Sequence, residues 1–152
     1  MPATNGSARR YVLDASVMAK WLLPEDDVAA ADRLRDLAVR GECRLLAPDL
    51  WRVEIANALW ARTRRGTNPL HETDAADALA VVSRMPVVTV ASEELVALAF
   101  DVALEANITV YDALYAALAL RDRAPLVTAD VQLRDRLRAR WPEFGVVALA
   151  EV

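Results

Sequence analysis

Short apolar runs alternate along this chain with stripes of apolar residues at helical spacing. Tyr11-Val12-Leu13 is a brief run with a β-branched member that stops at Asp14-Ala15-Ser16, so it reads as a strand passing into a helix cap, with the helix continuing to about Pro24. Val28, Ala31, Leu34, Leu37 and Ala38 recur as one helix face does, and Gly41 closes that segment as a C-terminal cap. Cys43 to Ala47 is the next strand. Pro48-Asp49 opens a helix whose apolar stripe is Trp51, Ile55, Ala58 and Leu59; Arg64-Arg65-Gly66 ends it and Gly66-Thr67-Asn68-Pro69 forms a turn. A helix then runs through Ala75 to Val82, Val87-Val88-Thr89-Val90 is a buried strand, and Ser92-Glu93-Glu94 caps a helix that reaches Ala106. Residues 112 to 122 are helical, Leu126-Val127-Thr128 is a strand ending at Ala129-Asp130, Leu133 and Leu137 sit on another helix, and Val146-Val147 is a final short strand.

Strands that are apolar throughout and are joined by helices call for a parallel sheet covered on both faces, so the fold class is α/β. No repeat, low-complexity tract or linker divides the chain. Residues 1–9, small and polar without periodicity, are expected to be a flexible tail, and residues 10–152 a single domain.

Composition narrows the classes of function. At 152 residues, 55% hydrophobic and 26% charged, the chain has apolar surface enough for one core and is not the composition of a disordered polymer. One cysteine, Cys43, cannot make an internal disulfide, and with His71 as the sole histidine it cannot build a zinc site either. A reducing, cytoplasmic setting is expected. Nothing in the sequence approaches the ~20 apolar residues of a membrane span, and MPATNGSARR lacks the apolar core of a signal peptide. The formal net charge is -4, so a polyanion would have to be met by local basic patches. Residues 121–140 carry six arginines against three aspartates, a local excess of +3 able to guide RNA, although a solvated helix face is the better account of each arginine taken alone. Trp21, Trp51, Trp60 and Trp141 are expected mainly in the core, and packing is the simple account of the tyrosines.

Four acids stand where chemistry would be placed. Asp14 and Asp130 follow strands directly, at the carboxyl edge where open parallel sheets bind ligands, and helix capping is the structural alternative for both. Asp112 precedes an alanine-rich stretch that puts Asp112, Tyr115, Ala116 and Ala119 on one helix face. Glu54 lies mid-helix on an apolar face with no basic residue three or four positions away; Asn57, one turn on, is a candidate hydrogen-bond partner. Four carboxylates gathered together would repel one another until a cation neutralised them, and oxygen-only ligands suit Mg²⁺ or Mn²⁺. Hard ions in acidic clefts commonly act on phosphates.

Across residues 10 to about 148 the chain resembles the PIN-domain nucleases, and within them the toxins of VapBC-type toxin–antitoxin pairs. The resemblance rests on Tyr11-Val12-Leu13-Asp14-Ala15-Ser16, on Pro48-Asp49-Leu50-Trp51 through Glu54 to Asn57, on Tyr111-Asp112-Ala113 with Tyr115 and Ala117-Leu118-Ala119, and on Leu126-Val127-Thr128-Ala129-Asp130, four motifs in family order. It implies a PIN-like α/β/α sandwich and a metal-dependent endoribonuclease in which Asp14, Glu54, Asp112 and Asp130 are metal-binding and catalytic, with Ser16 and Thr128 as polar helpers. It also implies an RNA substrate, a cognate antitoxin partner and a homodimer. Phosphate contacts would fall to arginines such as Arg62, Arg64, Arg65, Arg134 or Arg138. The rival readings are a non-catalytic interaction module of the same fold and a metal-dependent α/β phosphatase. The second is disfavoured because Ser16 stands where a haloacid-dehalogenase-type enzyme would need an acid.

Overall fold

A computed structural model describes residues 8–23 and 28–152. Residues 1–7 of the expected tail, and Pro24, lie outside the described residues. Five strands, β1 (Arg9–Leu13), β2 (Cys43–Pro48), β3 (Val87–Val90), β4 (Leu126–Thr128) and β5 (Val146–Ala148), form one sheet in the order β3-β2-β1-β4-β5. Every pairing is parallel. The reason is legible in the side chains: Val12, Leu13, Leu45, Leu46, Ala47, Leu126 and Val127 are all buried, so the inner strands expose neither face to water and need helices on both.

The helices are α1 (Ala15–Ala19), α2 (Val28–Val39), α3 (Trp51–Arg64), α4 (Glu72–Val82), α5 (Val96–Ala106), α6 (Val110–Asp122) and α7 (Val131–Arg140). Together with the sheet they make the expected α/β/α sandwich. α6 buries seven consecutive residues, Ala113 to Ala119, and the four alanines among them let its backbone lie close to the sheet. Gly41 ends α2 with φ +74°, the left-handed turn that hands its amide to Ala38 and the Glu42 amide to Leu37. No side chain would crowd a Cβ there, so it is the backbone conformation that selects glycine.

Several local expectations are corrected. Arg9 already belongs to β1. α1 ends at Ala19 rather than near Pro24: the amides of Lys20, Trp21 and Leu22 reach back only three residues, and the Trp21 indole donates to the Ala31 carbonyl at 2.8 Å, drawing the chain towards α2. Ser92 does not cap α5, because its hydroxyl and amide both donate to Asp49, and residues Ser92–Glu94 form a separate 3₁₀ turn. α6 starts at Val110, with Thr109 as its cap, two residues earlier than expected. Trp51 is fully buried but Trp60 is 56% exposed, and Tyr111 is 64% exposed rather than packed.

The topology itself nominates a site. From β1 the chain moves outward through β2 to β3, then returns to the other side of β1 for β4 and moves outward again to β5. The carboxyl ends of β1 and β4 therefore flank the point where the winding reverses, the crevice in which sheets of this type hold ligands.

Candidate active site at the reversal of the sheet

Asp14 follows the last residue of β1, and Asp130 lies two residues beyond β4. Among the described residues, Asp14 and Thr128 are the two buried polar side chains, 6% and 1% exposed, and they touch. The Thr128 hydroxyl donates to Asp14 Oδ2 at 2.8 Å and the Ser16 hydroxyl to the same oxygen at 2.5 Å. Asp14 occupies the cap position of α1 but makes no side-chain cap bond, since its carboxylate is turned to these two hydroxyls. The capping alternative is thus set aside for Asp14. The hydroxyls are tied in turn, because the Ala129 amide donates to Ser16 Oγ and the Asp130 amide to Thr128 Oγ1.

Asp130 does serve as a cap: Oδ1 accepts the amides of Gln132 and Leu133 at the start of α7, which fixes its side chain. Asp112 is the third residue of α6 and shares a reciprocal cap with Thr109, whose hydroxyl accepts the Asp112 amide and donates to Oδ2 at 2.8 Å. Both acids are held by local partners, Asp112 by the Thr109 hydroxyl and Asp130 by two amides of α7, and both stand near enough to Asp14 for their charges to raise its pKa.

Glu54 sits in the first turn of α3 rather than mid-helix, half-buried. The Tyr115 hydroxyl, from fully buried Tyr115 on α6, donates to Glu54 Oε2. Asn57, the partner expected from the sequence, is exposed and points to no bond with Glu54. Tyr115 and Thr109, which touch Glu54 and Asp112, are candidate site residues that motif reasoning did not assign. Tyr115 was visible on the face of Asp112, but nothing in a single sequence said that α3 would bring Glu54 against it.

Electrostatics bind the four acids into one group. Burial raises the pKa of Asp14, the Ser16 and Thr128 hydroxyls pull it back, and the charges of Asp112 and Asp130 raise it further. Glu54 is pushed from 4.5 up to about 7, first by burial and then by Asp14 and Asp112, against the lowering effect of Tyr115. Burial and the neighbouring carboxylates raise Tyr115 in the same way, so it stays a donor.

This set suits a hard divalent cation in its donor chemistry, which is carboxylate throughout, and in its uncompensated charge. Cys43 is buried beneath α2, where its thiol faces the Leu34 carbonyl, and His71 caps α4. Among the described residues, no three acids stand close enough as they are to share one ion. Coulomb forces act over longer distances than coordination bonds, so the acids sense one another's charge without all ligating one ion, and a hard ion held by one or two carboxylates completes its shell with water.

The arginine excess at 121–140 is largely consumed by structure. Arg121 pairs with Asp122 and Glu94, Arg136 donates to the Asn107 carbonyl, Arg138 to the Val146 carbonyl and Glu151, and Arg140 to Glu105.

A sequence profile of the PIN domain family matches residues 11–137. This chain belongs to the PIN domain family. The PIN-domain chain is also 36% identical over 134 residues to Ribonuclease VapC3 of Pyrobaculum aerophilum, covering 86% of this chain and 96% of that relative. The crystal structure of PAE2754 from Pyrobaculum aerophilum superposes with a TM-score of 0.63 at 26% identity, covering 96% of this chain and 93% of the other. A crystal structure of VapBC2 from Rickettsia felis, bound to a DNA fragment from their promoter, has the same fold, with a TM-score of 0.61 at 13% identity and coverage of 91% and 98%.

Proposed function

We propose that this PIN domain is a divalent-metal-dependent endoribonuclease and the toxin of a toxin–antitoxin pair, hydrolysing phosphodiester bonds of RNA. The observation that carries the reading is Asp14, a buried carboxylate at the tip of the central strand, supported by two hydroxyls and opposed by like charges. A protein tolerates such a group where function requires it, because an uncompensated buried charge costs stability. The ribonuclease named VapC3, with 36% identity over nearly its whole length, supports the same activity here.

Asp14 and Asp130 would hold Mg²⁺ or Mn²⁺, with Glu54 and Asp112 either joining them or orienting water. Such an ion polarises a phosphodiester and lowers the pKa of an attacking water. Ser16 and Thr128 fix Asp14 Oδ2 and leave Oδ1 for the cation. Tyr115 engages Glu54 Oε2, leaving Oε1 to ligate the ion or to orient water, and the pKa of about 7 in the metal-free chain is one that a neighbouring cation would lower. Thr109 and the start of α7 hold Asp112 and Asp130 from behind.

An antitoxin partner, a homodimer and a cytoplasmic location complete the proposal. Supporting the homodimer, α5 exposes Val96, Phe100 and Leu104 at four-residue spacing. No helix among the described residues is long and apolar enough to cross a membrane. The non-catalytic alternative draws on one observation, the spacing of the acids. Titration calorimetry with Mn²⁺ and RNA cleavage by wild type and Asp14→Asn decide between the two. Metal binding and cleavage present in the wild type and absent from a folded variant support the nuclease; no heat and no cleavage in the wild type overturn it.

A further inference from the structure

The sheet has a second end, away from the acids. At the amino ends of β4 and β5 lies an open pocket of about 480 Å³. Leu120, Pro125, Trp141 and Phe144 give it apolar walls, and Arg123 and Glu143 are its charged members. Trp141 and Phe144 are half-buried and meet edge to face at 6.4 Å, so two aromatic rings stay partly open to solvent instead of closing into the core.

Arginines continue from the pocket across the sheet. Arg10 on β1 and Arg44 on β2 are direct cross-strand partners, and both are exposed. Val12 pairs with Leu126, which sets Arg10 level with Ala124, next to Arg123. Like charges directly opposite one another destabilise a sheet, so the fold alone does not call for this pair. Arg123 ends α6 with φ +50°, a conformation that suits glycine or asparagine, and α5 ends in the same conformation on Asn107. An arginine at that turn is likewise a local cost. Arg10 reaches Asp122 at 3.9 Å, but Asp122 already holds Arg121 at 2.8 Å; Arg44 and Arg123 make no hydrogen bond or ion pair among the described residues. Arg40 and Glu42 pair with each other and cancel. Set against every acid that this group or the pocket touches, namely Asp122, Glu94 and Glu143, the side chains of Arg9, Arg10, Arg44, Arg121 and Arg123 keep a surplus of two positive charges.

On the ribonuclease reading above, we propose that this end of the sheet is a second RNA contact surface, in which the pocket takes one unpaired base and Arg123, Arg10 and Arg44 take the phosphates beside it. The pocket's volume fits a nucleobase with part of its ribose, aromatic walls hold any base by its π-face, and arginines at strand spacing follow a sugar-phosphate backbone. From β2 to β5 the surface spans about 14 Å, the rise of about four stacked nucleotides. A chain of net charge -4 whose acids gather at the carboxyl end thereby holds a polyanion by the end that does not repel it. Arg10 stands four residues before Asp14, about 13 Å along β1, so an RNA has to pass round the covering helices to touch both. The surface therefore serves long or folded RNA and adds nothing to the binding of a few nucleotides.

The test reads the anisotropy of a fluorescein-labelled, unstructured 30-nucleotide RNA on the full chain, in EDTA over a salt series, so that cleavage does not intervene. Arg44→Gln combined with Arg123→Asn removes two charges at exposed positions, and asparagine keeps the turn that ends α6. This variant should unfold in urea as the wild type does, bind the RNA about tenfold more weakly, and lose ~1.4 from the salt slope, the share of two phosphate contacts on a single strand. A strand of abasic residues keeps its phosphates and lacks its bases; it should bind the wild type about tenfold more weakly than normal RNA, and Trp141→Leu should shrink that penalty at least threefold. With Mn²⁺, the double variant should cut the 30-nucleotide RNA with raised KM and unchanged kcat, and cut a hexanucleotide as the wild type does. Polyglutamate of equal charge should compete at least tenfold more weakly than RNA. Unchanged affinity and salt slope in the double variant, an abasic penalty that Trp141→Leu leaves intact, or polyglutamate competing as well as RNA overturns the assignment, the last in favour of an acidic polypeptide. A wild type that binds RNA with this signature and cuts none with Mn²⁺ overturns the ribonuclease reading instead.

Discussion

Removing one oxygen atom separates the two roles of Glu54. Tyr115→Phe keeps the fully buried ring in place and deletes the hydroxyl that donates to Glu54 Oε2. A hydrogen bond to a charged group contributes about 1.5–3 kcal/mol, and half-buried Glu54 recovers part of that by meeting water, so metal-free Tyr115→Phe should lose about 1–2 kcal/mol at pH 8. The hydroxyl also holds the Glu54 pKa down, so in the variant that pKa should rise above its present value of about 7. The sign for stability follows from the direction of the shift. A carboxyl whose pKa is higher in the folded state than its unfolded 4.5 binds its proton more tightly when folded; its contribution is fully present below about pH 4.5 and lost as pH rises through about 7. Taken in full that contribution would be about 3 kcal/mol, and screening at a group more than a third exposed reduces it to roughly 1–2 kcal/mol. Urea unfolding in EDTA at pH 5 and pH 8, on wild type, Tyr115→Phe and Glu54→Gln, reads all of this. Glu54→Gln should be more stable than wild type at pH 8 and nearly equal at pH 5, while Tyr115→Phe should lose most of its deficit at pH 5, where Glu54 is neutral. A Tyr115→Phe protein matching wild type within ~0.3 kcal/mol at both pH values, with Glu54 titrating as before, would refute the reasoning.

Three further outcomes are expected. Thr128→Val removes a donor to Asp14 and the acceptor of the Asp130 amide, which should cost about 2–3 kcal/mol in urea unfolding, with Thr128→Ser restoring most of it. Asp130→Asn keeps an acceptor for the Gln132 and Leu133 amides, so its stability should lie within ~0.5 kcal/mol of wild type while Mn²⁺ binding by calorimetry falls at least tenfold. Mn²⁺ at one hundred times its pH 8 dissociation constant should stabilise the wild type by about 2.7 kcal/mol in thermal unfolding at pH 8, the same concentration should stabilise it less at pH 6 because Glu54 must first lose its proton, and Asp14→Asn should be unmoved.

The sheet was legible because its signal is local: each inner strand is a continuous apolar run, and continuous runs separated by helices admit few arrangements. Asp14 and Asp130 were legible for the same reason, as the residues at which such runs stop. What a single sequence conceals is pairing across distance. The Ser92 hydroxyl reads locally as a helix cap and is claimed instead by Asp49, 43 positions away. Glu54 finds Tyr115 at a separation of 61, where local reasoning could offer only Asn57. The arginines of α7 and its flanks read as a free basic face, yet the carbonyls and acids that occupy them come from other elements. Trp60 shows the opposite limit: it lies off the stripe of Trp51, Ile55, Ala58 and Leu59, so the helical spacing, and not its apolar side chain, was the better guide to its exposure.

The hydroxyl that steadies Asp14 from β4 lies 114 positions further along the polypeptide. On the ribosome, the first three strands emerge while that threonine is still unmade, and β1 presents its acid with one of its two sheet neighbours missing. On the proposed ribonuclease reading, the support of Asp14 is therefore complete only once β4 has been made and has paired with β1.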